Sequence, residues 1–469
     1  MREIELFDDQ MDLYNRVKSQ MPRHKSILMQ AATGFGKTRL GAFMCSSAMA
    51  KGSSSMFIVP RRTLLKQTAD EFRSHDIPFG YISSGYSPNP FAKMNLATLG
   101  SLSRRLDKVR PPKVAFIDEC HWGDGELEKV IKWLRDSGSW YVGLSATPKK
   151  MNGKPMSDHY SVMEKGPTIR ALIDSKRLSD YRMFAPSRPD LKGVKTVNGD
   201  YAMGQLSKRM ETDRVLIGDA VKHYREHAMG MLNAAFCTSI KHAEITAEAF
   251  RNGGVPALAV SGKDDDDVIR RKIMAFARRE VKVLCSAQLL TFGFDLSSYA
   301  QMPVTIECMS DLAPTKSEPL QRQKWGRPLR YKDYPAIIFD HAGNCSVHGM
   351  PDSEVDWNLD GSIGTGSGGG EKTIATRQCP SCFFVARPTA SCPNCGHVYP
   401  VEGRMLEEVD GVLEEVTGPV VRPINEQGMQ KSLDELIKLG IARGYAPGKA
   451  QFWAAKIISA RMAKKRASR

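Results

Sequence analysis

Short apolar runs, each released into a polar or glycine-bearing turn, recur through the first 150 residues: SILMQ before AATGFGKT, MFIVP before RR, VAFI before DECH and YVGL before SAT. Strands that are apolar at nearly every position are buried on both faces. Between them lie longer stretches of mixed polarity such as Arg62 to His75, so the pattern predicts βα units around a parallel sheet. A second series follows a strand-poor segment: NAAFC before TS, ALAV before SGK, VKVLC before SAQLLTFGFD, VTIEC, and AIIFD before HAGN. Two α/β lobes are expected, the first over residues 1–186 and the second, with its connection, over 187–358. The run DGSIGTGSGGG gives the backbone no preferred conformation and marks a linker over 359–372. A cysteine-bearing module at 373–404 and a tail at 421–469 complete the chain. In the tail, Gln430 to Gly440 and Lys449 to Lys465 space their apolar residues as helices do.

Composition narrows the class of protein. The chain has 469 residues, enough for several cores, and 41% are hydrophobic. No apolar run approaches the roughly 18 residues of a membrane-spanning helix. Lys plus Arg number 67 against 52 Asp plus Glu, giving +15 and a pI near 9.3, which favours a polyanionic partner. The tail holds 11 basic and 3 acidic residues, so 11 − 3 = +8 of that excess lies there. The opening MREIELFDDQ has no signal-peptide core, so a cytoplasmic location, in a bacterium or a phage-infected host, is expected and the ten cysteines are read as thiols.

Ala31 to Thr38, AATGFGKT, follows a strand and precedes a helical stretch, the context of a phosphate-binding loop. Gly34 and Gly36 let backbone amides close around phosphate oxygens, Lys37 reaches the β and γ phosphates, and the Thr38 hydroxyl ligates Mg²⁺. Asp118 and Glu119 end the next-but-one apolar run. There Asp118 would hold Mg²⁺ and Glu119 would orient and deprotonate the attacking water. QKWGRPLR, residues 323–330, offers Arg327 and Arg330 from the second lobe as arginine fingers for the transferring phosphoryl group. Cys379, Cys382, Cys392 and Cys395 form two CxxC pairs, a spacing suited to a closed, structural Zn²⁺ site.

With these motifs in order, the chain resembles superfamily-two helicases of the DEAD/DEAH-box kind, the box reading DECH. AATGFGKT, PRRTLLKQ (60–67), Thr98 to Leu102, DECH, SAT (145–147), Phe236 to Ser239, TFGFD (291–295) and QKWGRPLR resemble eight successive motifs of that superfamily. The resemblance implies two RecA-like lobes with ATP at their seam. It places Gln10 at adenine, Thr33, Gly34, Gly36, Lys37 and Thr38 around the phosphates, Gly293 and Asp295 beside the nucleotide, and Gln323 beside the fingers. His121, Ser145 and Thr147 would couple the nucleotide to nucleic acid. Pro60, Arg61, Arg62, Thr98, Thr238, Ser239 and Thr291 would touch a nucleic-acid backbone, although serine and threonine at such places also serve as turn and cap residues. The two lobes, the IIFDHAGNCSVHG segment and the four cysteines are similar to bacterial RadD-type DNA-repair helicases and phage relatives. That layout implies an ATP-dependent DNA helicase or translocase in repair, recombination or replication, with single-strand-binding or recombination proteins as partners. An ATP-gated remodelling ATPase that separates no strands, and an RNA helicase, are the competing readings.

Overall fold

The computed structural model describes residues 2–87, 89, 92–150, 154–186, 188–197, 199–287, 289–290, 296–360, 376–399, 433–442 and 446–455. The first lobe is a seven-stranded parallel sheet ordered β3-β4-β2-β5-β6-β1-β7. Its strands are β1 (Ser26–Gln30), β2 (Ser55–Val59), β3 (Gly80–Ile82), β4 (Met94–Thr98), β5 (Val114–Asp118), β6 (Trp140–Ser145) and β7 (Val162–Lys165). Its helices are α1 (Asp8–Gln20), α2 (Lys37–Ala50), α3 (Arg62–Ser74), α4 (Leu99–Ser103), α5 (Asp124–Asp136) and α6 (Ile169–Asp174). The central strands β2, β4 and β5 are buried at every position because each face is covered. Ile27, Met29, Phe57 and Val59 enter one core, while their neighbours Leu28, Met56 and Ile58 enter the other, as a two-residue side-chain period requires.

The second lobe is a six-stranded parallel sheet ordered β12-β13-β11-β14-β15-β8, again between two cores. In chain order it comprises β8 (Tyr181–Phe184), a small hairpin of β9 (Thr196–Val197) and β10 (Asp200–Tyr201), α7 (Met203–Thr212), α8 (Arg214–His227), β11 (Asn233–Phe236) and α9 (Ile240–Asn252). There follow β12 (Ala257–Val260), α10 (Asp266–Ala277), β13 (Val283–Ser286), α11 (Leu296–Ala300), β14 (Cys308–Asp311), α12 (Glu318–Trp325), β15 (Ala336–Asp340) and α13 (Cys345–His348). Both lobes therefore have the parallel-sheet architecture expected, with two departures in detail. β8 pairs with β15, so the chain enters the second sheet before residue 181 rather than at 187. The run VTIEC contributes to the sheet only from Cys308; Val304 and Ile306 pack beneath it, and the Glu307 carboxylate accepts the Leu232 amide at 2.7 Å.

Contacts between the lobes include the connecting chain itself and the segment after α13. Ser179 N–H donates to the Leu329 carbonyl at 2.9 Å, and the Ser179 hydroxyl meets the carbonyls of Arg330 and Lys332 at 3.1 Å. The segment after α13 returns to the first lobe, where the Ser157 amide donates to the Leu359 carbonyl at 2.9 Å and Lys165 pairs with Asp356 at 2.8 Å.

Beyond the expected linker, whose residues 361–372 lie outside the described set, β16 (Arg377–Gln378) and β17 (Val385–Ala386) form the antiparallel ribbon that carries the cysteines. It docks on the β8 edge: the Ala185 amide donates to the Phe383 carbonyl at 3.0 Å and the Phe184 and Phe384 rings meet at 5.5 Å. Residues 401–469 form a separate unit. Within it a helix spans Leu433–Ala442, and the basic run from Lys456 to Arg469 lies outside the described residues. Among the described residues no helix is long and apolar enough to cross a membrane.

Candidate nucleotide site and nucleic-acid cleft

β1 ends at Gln30 and the chain turns through Ala31–Gly36 into α2. The turn needs glycine: Gly34 and Gly36 have φ of 89° and 91°, and a Cβ on Gly36 would lie 2.6 Å from Gln10 Nε2. Lys37 folds back so that Nζ donates to the Ala31 carbonyl at 3.2 Å. The buried Gln10 clamps the loop from behind, its Oε1 accepting the Phe7 amide at 3.1 Å and its Nε2 donating to the Phe35 carbonyl at 2.7 Å. Arg177 joins the same corner. It donates to Asp9 at 2.6 Å and to the Phe35 carbonyl at 3.2 Å, and stacks 3.4 Å over the Phe7 ring. Phe7 and Arg177 escape sequence reasoning because they lie 170 residues apart in no shared motif; the aromatic residue three before Gln10 is the one visible signal.

Asp118 closes β5, which pairs with β6 and so lies one strand away from β1. Burial pushes its carboxyl up to about 7; Glu119 next to it pushes the same way, and Lys37 opposes both. Glu119 sits at φ 46°, a left-handed conformation that costs a non-glycine residue about 1 kcal/mol or more and is common at functional turns. A buried and a half-buried carboxyl group beside one lysine are a pair that a divalent cation would suit, so Asp118 and the Thr38 hydroxyl are a suitable donor set for Mg²⁺.

His121 Nδ1 and Ser145 Oγ are 2.9 Å apart, Ser145 Oγ accepts the Thr147 amide at 3.0 Å, and His121 lies 3.5 Å from Glu119 Oε2. A hydrogen-bonded chain thus runs from the end of β5 to the end of β6. Burial holds His121 below its ordinary pKa, against the opposing pull of Glu119. Glu119 Oε2, His121 Nε2 and Thr147 Oγ1 are buried polar atoms without a protein hydrogen-bond partner, a concentration of unmet capacity that marks a site of chemistry.

The second lobe meets this edge through α12. A Cβ on Gly326 would lie 2.4 Å from Thr33 Cγ2, so the end of the arginine helix packs directly on the phosphate loop and only glycine fits. Gln323 and Arg327 are buried on the same segment. Arg327 and Arg330 together line a small space walled by Leu290, Leu296, Val304 and Ile306. Thr291, Gly293 and Asp295 lie outside the described residues.

Of the residues expected at a nucleic-acid backbone, Pro60, Arg61 and Arg62 sit where β2 opens into α3. Thr98 is buried, its hydroxyl donating to Ser83 at 3.1 Å. Thr238 meets His242 Nδ1 at 3.1 Å. Ser239 caps α9, accepting the His242 amide at 2.9 Å and donating to Glu211 at 2.6 Å. All three hydroxyls thus have local partners. A cleft of about 1350 Å³ runs between the lobes, lined by Arg61, Trp122, Lys149 and Lys150 from the first and by the β9–β10 hairpin, Lys208, Thr238 and Lys316 from the second.

The four cysteine sulfurs lie within 4.8 Å of one another, with Cys379 to Cys395 and Cys382 to Cys392 both 3.7 Å. A tetrahedron with Zn–S bonds of about 2.3 Å has edges of about 3.8 Å, so the quartet has the right size for Zn²⁺. His397 packs on Tyr399 and stands outside the quartet.

Comparison with known proteins agrees with this geometry. The family described as "Type III restriction enzyme, res subunit" matches residues 3–150. A "51.5 kDa protein" of a Lactococcus phage (isolate 7-9) is 29% identical over 378 residues, covering 80% of this chain and 78% of that protein. The "Putative mitochondrial ATP-dependent helicase irc3" of Schizosaccharomyces pombe is 28% identical over 330 residues, 65% of this chain and 52% of that one. Among solved structures, the ATP-dependent Type ISP restriction-modification enzyme LlaBIII bound to DNA superposes with a TM-score of 0.52 at 15% identity, over 76% of this chain and 29% of the enzyme. The chain thus spans about half of Irc3 and under a third of LlaBIII. Eight motifs in order on two RecA-like lobes, the family matched by the first lobe and the similarity to a helicase all support a likeness to the superfamily-two helicases.

Proposed function

We propose that the protein hydrolyses ATP at the seam between its lobes and uses the cycle to move along, or separate, DNA. The observation that carries this reading is the contact of Thr33 with Gly326, which sets the phosphate loop and the arginine segment against each other. Lys37 binds β and γ phosphate oxygens. Asp118 and Thr38 hold Mg²⁺, which supplies charge neutralisation at the phosphates. Glu119 orients the water and takes its proton through Oε2. Arg327 and Arg330, with Gln323 beside them, stabilise the charge that develops on the γ-phosphoryl group. The chain Glu119–His121–Ser145–Thr147 carries the state of the site to the β6 turn and thence to Lys149 and Lys150 in the cleft. The sites for Zn²⁺, DNA and partner proteins of replication or repair belong to the same proposal, with RNA and a remodelling role without strand separation as its competitors.

Lys37→Ala and Glu119→Gln are expected to reduce steady-state ATP hydrolysis by a factor of about 10³ or more, measured as phosphate release with and without single-stranded DNA, while DNA binding persists. Hydrolysis retained by both variants rejects the site. Wild-type hydrolysis without displacement of a strand from forked or tailed duplexes selects the remodelling reading.

A further inference from the structure

The interlobe cleft is more than a basic channel. Each wall presents one half-buried aromatic ring paired with a cation. On the first lobe the Arg61 guanidinium lies 4.7 Å over the Trp122 ring, and on the second the Lys316 ammonium lies 4.8 Å over the Tyr201 ring; all four residues line the cleft. Trp122 directly follows His121, and its amide donates to the Glu119 carbonyl at 2.9 Å, which ties the ring to the nucleotide-sensing turn. Tyr201 is held as firmly. Asp200 beside it accepts the Thr315 hydroxyl at 2.6 Å and the Lys316 amide at 2.7 Å, and Lys316 Nζ donates to Thr196 Oγ1 at 2.7 Å. The hairpin is therefore a fixed part of the cleft wall.

Cations alone bind any polyphosphate backbone and do not distinguish a duplex from a single strand. Aromatic rings do, because only an unpaired strand has bases free to stack on them, at about 1–3 kcal/mol per base. We propose that Trp122 and Tyr201 are base-stacking residues, one per lobe, that make the cleft selective for single-stranded nucleic acid. This rests on the nucleic-acid reading of the cleft above. Stacking on Trp122 couples base engagement to Glu119 and His121, and Arg61 and Lys316 supply phosphate partners beside each ring.

The test compares a fluorescent oligodeoxynucleotide with an all-abasic strand of the same length and with a blunt duplex, binding to the full chain being followed by anisotropy at fixed salt. Wild type is expected to bind the base-bearing strand roughly fivefold to more than a hundredfold tighter per stacked base than the abasic one. Trp122→Ala and Tyr201→Ala each lose that preference in part and together lose it entirely, with affinity for the abasic strand and the duplex unchanged. Trp122→Phe and Tyr201→Phe retain it within about threefold. A variant that merely misfolds weakens all three probes together. Equal wild-type affinity for the base-bearing and abasic strands, or an unchanged preference in the double alanine variant, overturns the inference and leaves the ATPase reading intact. No binding to any of the probes removes the DNA reading of the cleft and the inference with it.

Discussion

The two parallel sheets are built alike but use their carboxyl edges in opposite ways. At the ends of β5 and β6 the first lobe leaves Glu119 Oε2, His121 Nε2 and Thr147 Oγ1 without protein partners and sets Glu119 in a left-handed turn. At the end of β14 the second lobe saturates Asp311, which accepts from Lys324 Nζ at 2.8 and 3.0 Å, Gln321 Nε2 at 2.8 Å, Asn344 Nδ2 at 2.9 Å and the Ala313 amide at 3.2 Å. Asp340 of β15 likewise accepts the amides of Ala342, Asn344 and Cys345. Gln321 and Lys324 belong to α12, so this network fixes the helix that ends against the phosphate loop. The contrast lies in the carboxylates: Glu119 keeps Oε2 without a hydrogen bond, whereas Asp311 is spent on holding α12, where Gln321 Oε1 and Gln323 Oε1 remain without hydrogen-bond partners.

The strongest way to break that contrast is to unpair the saturated edge. Lys324→Met leaves Asp311 as an uncompensated charge in a fully buried site, which costs about 3–5 kcal/mol and lowers the melting temperature by roughly 10 °C for a lobe of this size. Adding Asp311→Asn to it is expected to restore most of the loss, because an apolar or neutral pair avoids the stranded charge. Glu119→Gln, on the open edge, is expected to stay within about 1 kcal/mol of wild type in the same melts. A Lys324→Met protein as stable as wild type ends the comparison.

A smaller effect sharpens it at the other border of the second sheet. The ribbon covers β8 through Phe384 and the Phe383 carbonyl, and an edge strand so covered is protected from stray pairing. Native mass spectrometry of the chain is expected to show one equivalent of zinc, and Cys379→Ser with Cys392→Ser to abolish it. It should also speed hydrogen exchange at the Ala185 amide while leaving exchange in β1 and β5 unchanged. Full zinc content in the double variant refutes the quartet as ligands.

The motifs that bind phosphate were legible because their residues are local. AATGFGKT and DECH each place several functional groups within one turn, and apolar strands on both sides declare the parallel sheet. The cysteine spacing was legible for the same reason. What escaped depends on contacts between distant segments: Arg177 on Phe7, Asp311 with Lys324, and the ribbon on β8. The hairpin at Thr196–Tyr201 also escaped, since two-residue strands leave no hydrophobic period to read. Thr98, Thr238 and Ser239 show a different limit. Their residue types suit a phosphate and their hydroxyls also meet nearby Ser83, His242 and Glu211, and sequence cannot rank a local partner against a ligand.

The return segment after α13 offers the finest test of how the two lobes are joined. Lys165 and Asp356 are 46% and 71% exposed as side chains, so water screens their attraction and a double-mutant cycle should give a coupling below about 1 kcal/mol that vanishes in high salt. Leu359 differs, because it packs against the core of the first lobe while its carbonyl accepts the Ser157 amide. Leu359→Ala should therefore cost more in denaturant melts than either charge deletion, by the lost burial of a partly covered side chain. If the charge pair instead dominates and resists salt, the strap is an electrostatic latch. If Leu359 dominates, as its packing implies, the lobes are held by a contact that a sliding motion of the seam must break or carry along.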